Sequence, residues 1–131
     1  MTLNEAATKE VLAVLDTYVQ YYNEKNLSGV LTLFAKDTSG FGTGKDEVIT
    51  GYAGLKDQLK LDFNPSNTIR VKMRVIATGG VMPAAWITAF CDFDGTIAGK
   101  SAHMEGRMTA VLANHGGRWL FEQVHFSVPG Q

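Results

Sequence analysis

Between Ala7 and Tyr22 the apolar residues Ala7, Val11, Val14, Leu15, Tyr18, Val19 and Tyr22 recur at helical spacing and predict one long amphipathic helix. It is expected to open on the capping pair Thr2 and Glu5 and to run to about Lys25. Asn26 stands ready to cap a second, shorter helix, with Leu27, Val30, Leu31 and Phe34 at i, i+3, i+4 and i+7 before Asp37 breaks the pattern. A third helix opens at Thr50 or Gly51, carries Tyr52, Leu55 and Leu59, and stops by Asn64-Pro65, because the residue before a proline avoids the helical region.

From Thr68 the period falls to two. Ile69, Val71, Met73 and Val75 alternate with Arg70, Lys72 and Arg74, as in a strand with one dry face and one wet one. A second strand, AAWITAFCDF, follows Pro83 and meets a turn signal at Asp94-Gly95. A third runs from about Ser101 to Ala113, and Asn114-His115-Gly116-Gly117 joins it to a fourth, RWLFEQVHFSV. Helices first and a meander of antiparallel strands afterwards argue an α+β fold, with three helices collected on one face of a curved sheet, in a single domain spanning 1–131.

Charge narrows the range of partners. With 12 basic and 13 acidic side chains, no global field recruits nucleic acid or an anionic membrane. No apolar run approaches the ~20 residues of a membrane span. The start, MTLNEAATKE, has neither a basic n-region nor an apolar h-region, and the lone Cys91 forms no internal disulfide, so a cytoplasmic protein is expected.

The stretch SGFGTGK, from Ser39 to Lys45, looks like a phosphate loop until its spacing is counted. A P-loop requires glycine five residues before Gly44, where Ser39 stands, and a hydroxyl after the lysine, where Asp46 stands. The run of Gly40, Gly42 and Gly44 also breaks the dinucleotide fingerprint G-x-G-x-x-G. No cofactor is expected. No metal is expected either, since His103, His115 and His125 share no ligand spacing and Cys91 stands alone.

Several segments carry a likeness to a known family: NLSGVLTLFAKD (Asn26 to Asp37), GTGKDEVITG leading into the third helix, the strands AAWITA and RMTAVLA, and the terminal GRWLFEQVHFSVP. Together they resemble the SnoaL-like branch of the nuclear-transport-factor-2-like superfamily across nearly the whole chain. The resemblance implies a cone, in which a strongly bent antiparallel sheet wraps around the long first helix and leaves a cavity at the open end. It also implies that Gly40, Gly42 and Gly44 shape the cavity wall, where backbone packs closely.

Ketosteroid isomerase, a member of this superfamily, uses an aspartate base with an oxyanion hole built from a tyrosine and a protonated aspartate. Aligned through NLSGVLTLFAKD, its tyrosine falls on Tyr18, but its base falls on Gly42, and no carboxylate lies between Glu105 and Glu122 to serve as the protonated acid. Loss of a general base typically forfeits 10²–10⁴-fold in rate, on the order of the whole proton-transfer contribution, so the resemblance carries over the cavity and not the isomerase chemistry.

Strict alternation splits the last strand into Trp119, Phe121, Gln123, His125 and Ser127 on one face and Leu120, Glu122, Val124, Phe126 and Val128 on the other. Hydrophobicity assigns the second face to the interior, which makes Glu122 a buried carboxylate with a raised pKa and a candidate general base, or a wet residue if the strand bulges there. Trp119 and Phe121 are then exposed and suit a homodimer contact. With the assignment inverted, Arg107, Thr109, Gln123, His125 and Ser127 form a polar patch inside the cone, where Arg107 holds an anionic ligand and His125 moves a proton; a hydrogen-bonded interface histidine is the plainer reading. Tyr18, Tyr22, Phe41, Tyr52 and Trp86 are candidate wall residues for a planar or alicyclic ligand, with ordinary core packing as the alternative.

The expected function is the binding of a small, mostly apolar molecule with one polar end by a homodimer, with Glu122 or His125 as candidate catalytic groups for an isomerase, cyclase or hydrolase. The competing expectation is a non-catalytic association module, because GRWLFEQVHFS is similar to the association domain of calcium/calmodulin-dependent kinase.

Overall fold

The computed structural model describes residues 1–130. Its elements are α1 (Glu5–Asn23), α2 (Leu27–Leu31), β1 (Phe34–Phe41), β2 (Val48–Thr50), α3 (Gly51–Asp62), β3 (Arg70–Val81), β4 (Ala84–Ile97), β5 (Lys100–His115) and β6 (Arg118–Ser127). The strands form one sheet in the order β2-β1-β6-β5-β4-β3. β1 and β6 run parallel and every other pair antiparallel. The sheet is curved and does not close, and with the helices on one of its faces the fold is α+β.

Helix α1 carries the stripe its sequence predicts: Ala7, Val11, Leu15, Tyr18 and Tyr22 are buried. Its cap differs from the expected Thr2–Glu5 pair. Asn4 adopts an extended backbone and its Oδ1 accepts the Ala7 N–H at 2.8 Å, satisfying one of the donors left open at a helix start. Asn26 caps α2 as expected, accepting the Gly29 N–H at 2.9 Å. That helix stops at Leu31, because Phe34 enters the ladder between β1 and β6, opposite Phe121. At the far end of α1, the Asn23 side chain behaves like a short strand. It accepts from the Val71 N–H at 2.7 Å and donates to the Val71 carbonyl at 3.0 Å, which pins the helix to the edge strand β3.

The β4–β5 hairpin turns later than Asp94-Gly95. Pairing persists to Ile97 opposite Lys100, and the chain reverses through Ala98 and Gly99, both at positive φ. Gly95 answers a different need. A side chain there would bring its Cβ within 2.3 Å of the Thr68 carbonyl oxygen, so the glycine permits two backbones to touch.

The largest departure from simple alternation lies in β6. Leu112 of β5 faces Phe121, while the neighbouring Val111 faces Gln123, so Glu122 is the extra residue of a β-bulge. One inserted residue reverses the alternation beyond it. Trp119 and Phe121 therefore point inward, at 4% and 1% exposure, and so does Val124 beyond the bulge. The expectation of an interior Glu122 with Trp119 and Phe121 on the outside is corrected accordingly, and the alternative of a strand that bulges at Glu122 and leaves it partly exposed is the one found. A second bulge, between Val75 and Ala77 of β3, leaves Val75 and Ile76 exposed where alternation alone would bury Val75.

Candidate functional site

The cone holds a cavity of ≈ 140 Å³ that is partly open to the surface. Tyr18 and Tyr22 from α1, Leu55 and Leu59 from α3, and Ile69, Phe93, Met104, Val124 and Phe126 from the sheet give it a mainly apolar wall. Aromatic packing fixes that wall. Tyr18 meets Phe34 and Phe121 edge-on at centroid distances of 6.1 and 5.8 Å, and Tyr22 meets Phe63 at 5.1 Å.

At one end the wall becomes polar. The Tyr22 hydroxyl donates to Asp62 Oδ2 at 2.9 Å, and the Gln58 side-chain amide donates to Asp62 Oδ1 at 3.0 Å and to Glu47 Oε1 at 2.7 Å. The Gln58 nitrogen thus bridges two carboxylates. Glu47 is held in turn by the Gly44 N–H and, at 3.4 Å, by the Thr43 hydroxyl. Among the described residues the cavity wall holds no lysine, arginine or histidine to balance Glu47 and Asp62.

Burial pushes the Asp62 carboxyl above the usual carboxylate range. The hydrogen bonds from Gln58 and Tyr22 favour the charged form and oppose this, while the charge on Glu47 adds to it. The phenols of Tyr18 and Tyr22 are also pushed up, by burial first and by the Asp62 charge second. Both remain neutral donors at any ordinary pH. Tyr18 is 7% exposed, and its hydroxyl has no hydrogen-bond partner in the protein among the described residues.

The sequence profile of the SnoaL-like domain matches residues 11–131, nearly the whole chain. The chain belongs to the SnoaL-like domain family. No curated protein matches it in sequence. Among solved structures, this SnoaL-like chain is similar to a candidate aromatic ring hydroxylase from Novosphingobium aromaticivorans, with a TM-score of 0.86 at 15% identity over 99% of this chain and 94% of that one. A candidate scytalone dehydratase from the same organism gives a TM-score of 0.83 at 12% identity, covering 94% and 84%. A candidate calcium/calmodulin-dependent protein kinase II association domain from Xanthomonas campestris gives 0.78 at 21%, covering 93% and 87%. At these identities the likeness is one of fold, the nuclear-transport-factor-2-like cone.

Of the residues singled out from the sequence, this SnoaL-like fold brings Tyr18 and Tyr22 to the cavity. Tyr52 is half-buried behind α2, where its hydroxyl donates to the Leu31 carbonyl. The others lie elsewhere. Glu122, on the bulge, pairs with His115 Nε2 at 2.6 Å, with 27% of its side chain exposed. Arg107 and His125 project from the sheet face turned away from the helices, and the Phe41 ring lies tilted beside His125 at a centroid distance of 5.3 Å. Trp86 lies on that outer face too, its indole over Gly79, where a Cβ would come within 2.4 Å of Nε1. The polar residues Arg107, Thr109, Gln123 and His125 do share a face, but it is the outer one.

Of the glycine segment, Gly42 reaches the cavity wall, whereas Gly40 packs on β6, where a Cβ would meet the Val124 carbonyl oxygen at 1.9 Å. The site residues that sequence reasoning missed are Glu47, Gln58 and Asp62. Two of them left a trace. Gln58 stands three residues after Leu55 and Asp62 three after Leu59, so both fall on the buried stripe of α3, where a polar group signals either a partner or a cavity.

Proposed function

We propose that this SnoaL-like domain is a small-molecule-binding protein whose ligand occupies the cone cavity, ring against the aromatic wall and polar end toward Asp62. The observation that carries this reading is the concave, largely apolar cavity with one hydrogen-bonded acidic end, the arrangement typical of small-molecule sites. Its volume is close to the ~150 Å³ of an apolar cavity that takes up benzene, so a single ring is the right scale. Should turnover accompany binding, Asp62 is the group suited to move a proton, since a buried carboxyl with a raised pKa is what general acid–base work uses. Glu122 and His125 are not offered for that role because neither lines the cavity.

The reading is tested by titrating toluene into the protein and following methyl resonances by NMR. Saturable shifts confined to Leu55, Leu59, Ile69 and Val124 are expected, and replacing Ile69 by tryptophan should abolish them. A titration that leaves these methyls unmoved up to the solubility of the probe would sink it.

A second element of the proposal is self-association through the outer sheet face. Phe41, Trp86 and Phe90 are 50%, 37% and 36% exposed there, and Arg74 lies over the Phe90 ring at 4.7 Å. Large aromatics beside cations on an open face suit a protein–protein contact. A homodimer is expected by sedimentation, and F90E should yield a folded monomer. A ring of higher order would favour the competing association module.

A further inference from the structure

Resting on the reading of the cavity as a ligand site, we propose that the ligand class is a small ring-bearing amine, its ammonium group held by Asp62 and Glu47 beside the Tyr18 hydroxyl. The charge of the cavity carries the argument. Two carboxylates converge on the Gln58 nitrogen, at 3.0 and 2.7 Å, and among the described residues the wall supplies no cation. Each carboxylate offers about four lone-pair positions, and the bonds from Tyr22, Gln58, Thr43 and the Gly44 N–H leave acceptor capacity unused.

Tyr18 is an independent pointer. More than nine-tenths buried, it lines the cavity within reach of the Asp62 charge, and no protein group among the described residues hydrogen-bonds its hydroxyl. An ammonium has three N–H donors, and Asp62, Glu47 and Tyr18 supply three oxygen-bearing acceptors in one cavity. The groups facing Asp62 are Tyr18 and Tyr22 of α1, Gln58 of α3 and Glu47 of the loop before β2. All are neutral or acidic, so a cationic ligand relieves the repulsion and an anionic one adds to it.

The experiment compares three probes of matched shape, benzylamine, toluene and benzoate, titrated at pH 7 into the full chain and into the variants D62N and E47Q. Benzylamine is expected to bind at least about tenfold more tightly than toluene, the effect of one charge-assisted hydrogen bond, with benzoate the weakest. In each variant the ratio of benzylamine to toluene affinity should shrink. Equal affinity for benzylamine and toluene, tightest binding of benzoate, or a preference untouched in either folded variant would overturn the amine assignment and leave the cavity reading standing. If none of the three probes binds, the cavity reading falls, and this inference with it.

Discussion

Tyr22 of α1 donates its hydroxyl hydrogen to Oδ2 of Asp62 at the end of α3, across 2.9 Å, and so ties the first helix to the third at the acidic end of the cavity. The bond favours ionised Asp62, but burial outweighs it and the folded-state pKa is raised. A carboxyl of this kind holds its proton to higher pH in the folded protein than in the unfolded chain. The associated stability is fully present below the unfolded value, ~3.9, and is lost as pH rises through the raised folded value. D62N has no proton to lose at that position. Its stability relative to wild type should therefore climb with pH between about 4 and 8, as read by urea unfolding at a series of pH values. A difference that stays flat, or falls, would show that Asp62 is not desolvated.

Removing the donor tests the same bond from its other side. Y22F keeps the ring against Phe63 and deletes only the hydroxyl, leaving a buried carboxylate oxygen short of a partner at a cost of about 1–3 kcal/mol. The loss should be larger at pH 8, where the carboxylate needs the donor, than near pH 4, where protonation relieves the demand. Equal losses at both ends of the range would mean the hydroxyl contributes through packing alone.

Cys91 offers a check on the core that is independent of the cavity. It lies on the buried face of β4 at 0% exposure, and burial, helped by the nearby Asp92 charge, pushes its thiol up to about 12. Native protein should react with a thiol-specific disulfide reagent at pH 8 at least ~10³-fold more slowly than the urea-unfolded chain, because thiolate is the reactive species and access is closed. Rapid native labelling would mean that β4 opens or is wrongly faced.

Periodicity carried the architecture because helices and strands of this length commit many residues to one face, and single errors average out. The α1 stripe from Ala7 to Tyr22 and the change of period at Thr68 are of this kind. The site was less legible, and for a local reason. One bulge residue at Glu122 changes the phase of β6, so strict alternation places Val124 and Phe126 inside and His125 outside correctly but exchanges inside for outside at Trp119, Phe121 and Glu122. The acids that do line the cavity are brought together by tertiary folding, with Glu47 in a loop and Asp62 at a helix end, and their pairing through Gln58 has no spacing signature. Tyr18 was legible because it stands on the dominant stripe of α1 and the family resemblance points to the same position.

The bulge itself is open to test through neighbouring residues of opposite exposure. Phe121 is buried at 1% among Tyr18 and Phe34, so F121A should cost about 3–5 kcal/mol by loss of burial and creation of a cavity. Glu122 makes a partly exposed hydrogen bond with His115, a surface contact of the sort worth up to about 1 kcal/mol, so E122A should cost no more than that. Unbroken alternation would give the reverse order, since it places Glu122 among apolar neighbours and Phe121 in water. Urea unfolding of the two variants decides between the arrangements, and a small F121A loss alongside a large change in E122A would remove the bulge and return Glu122 to the interior.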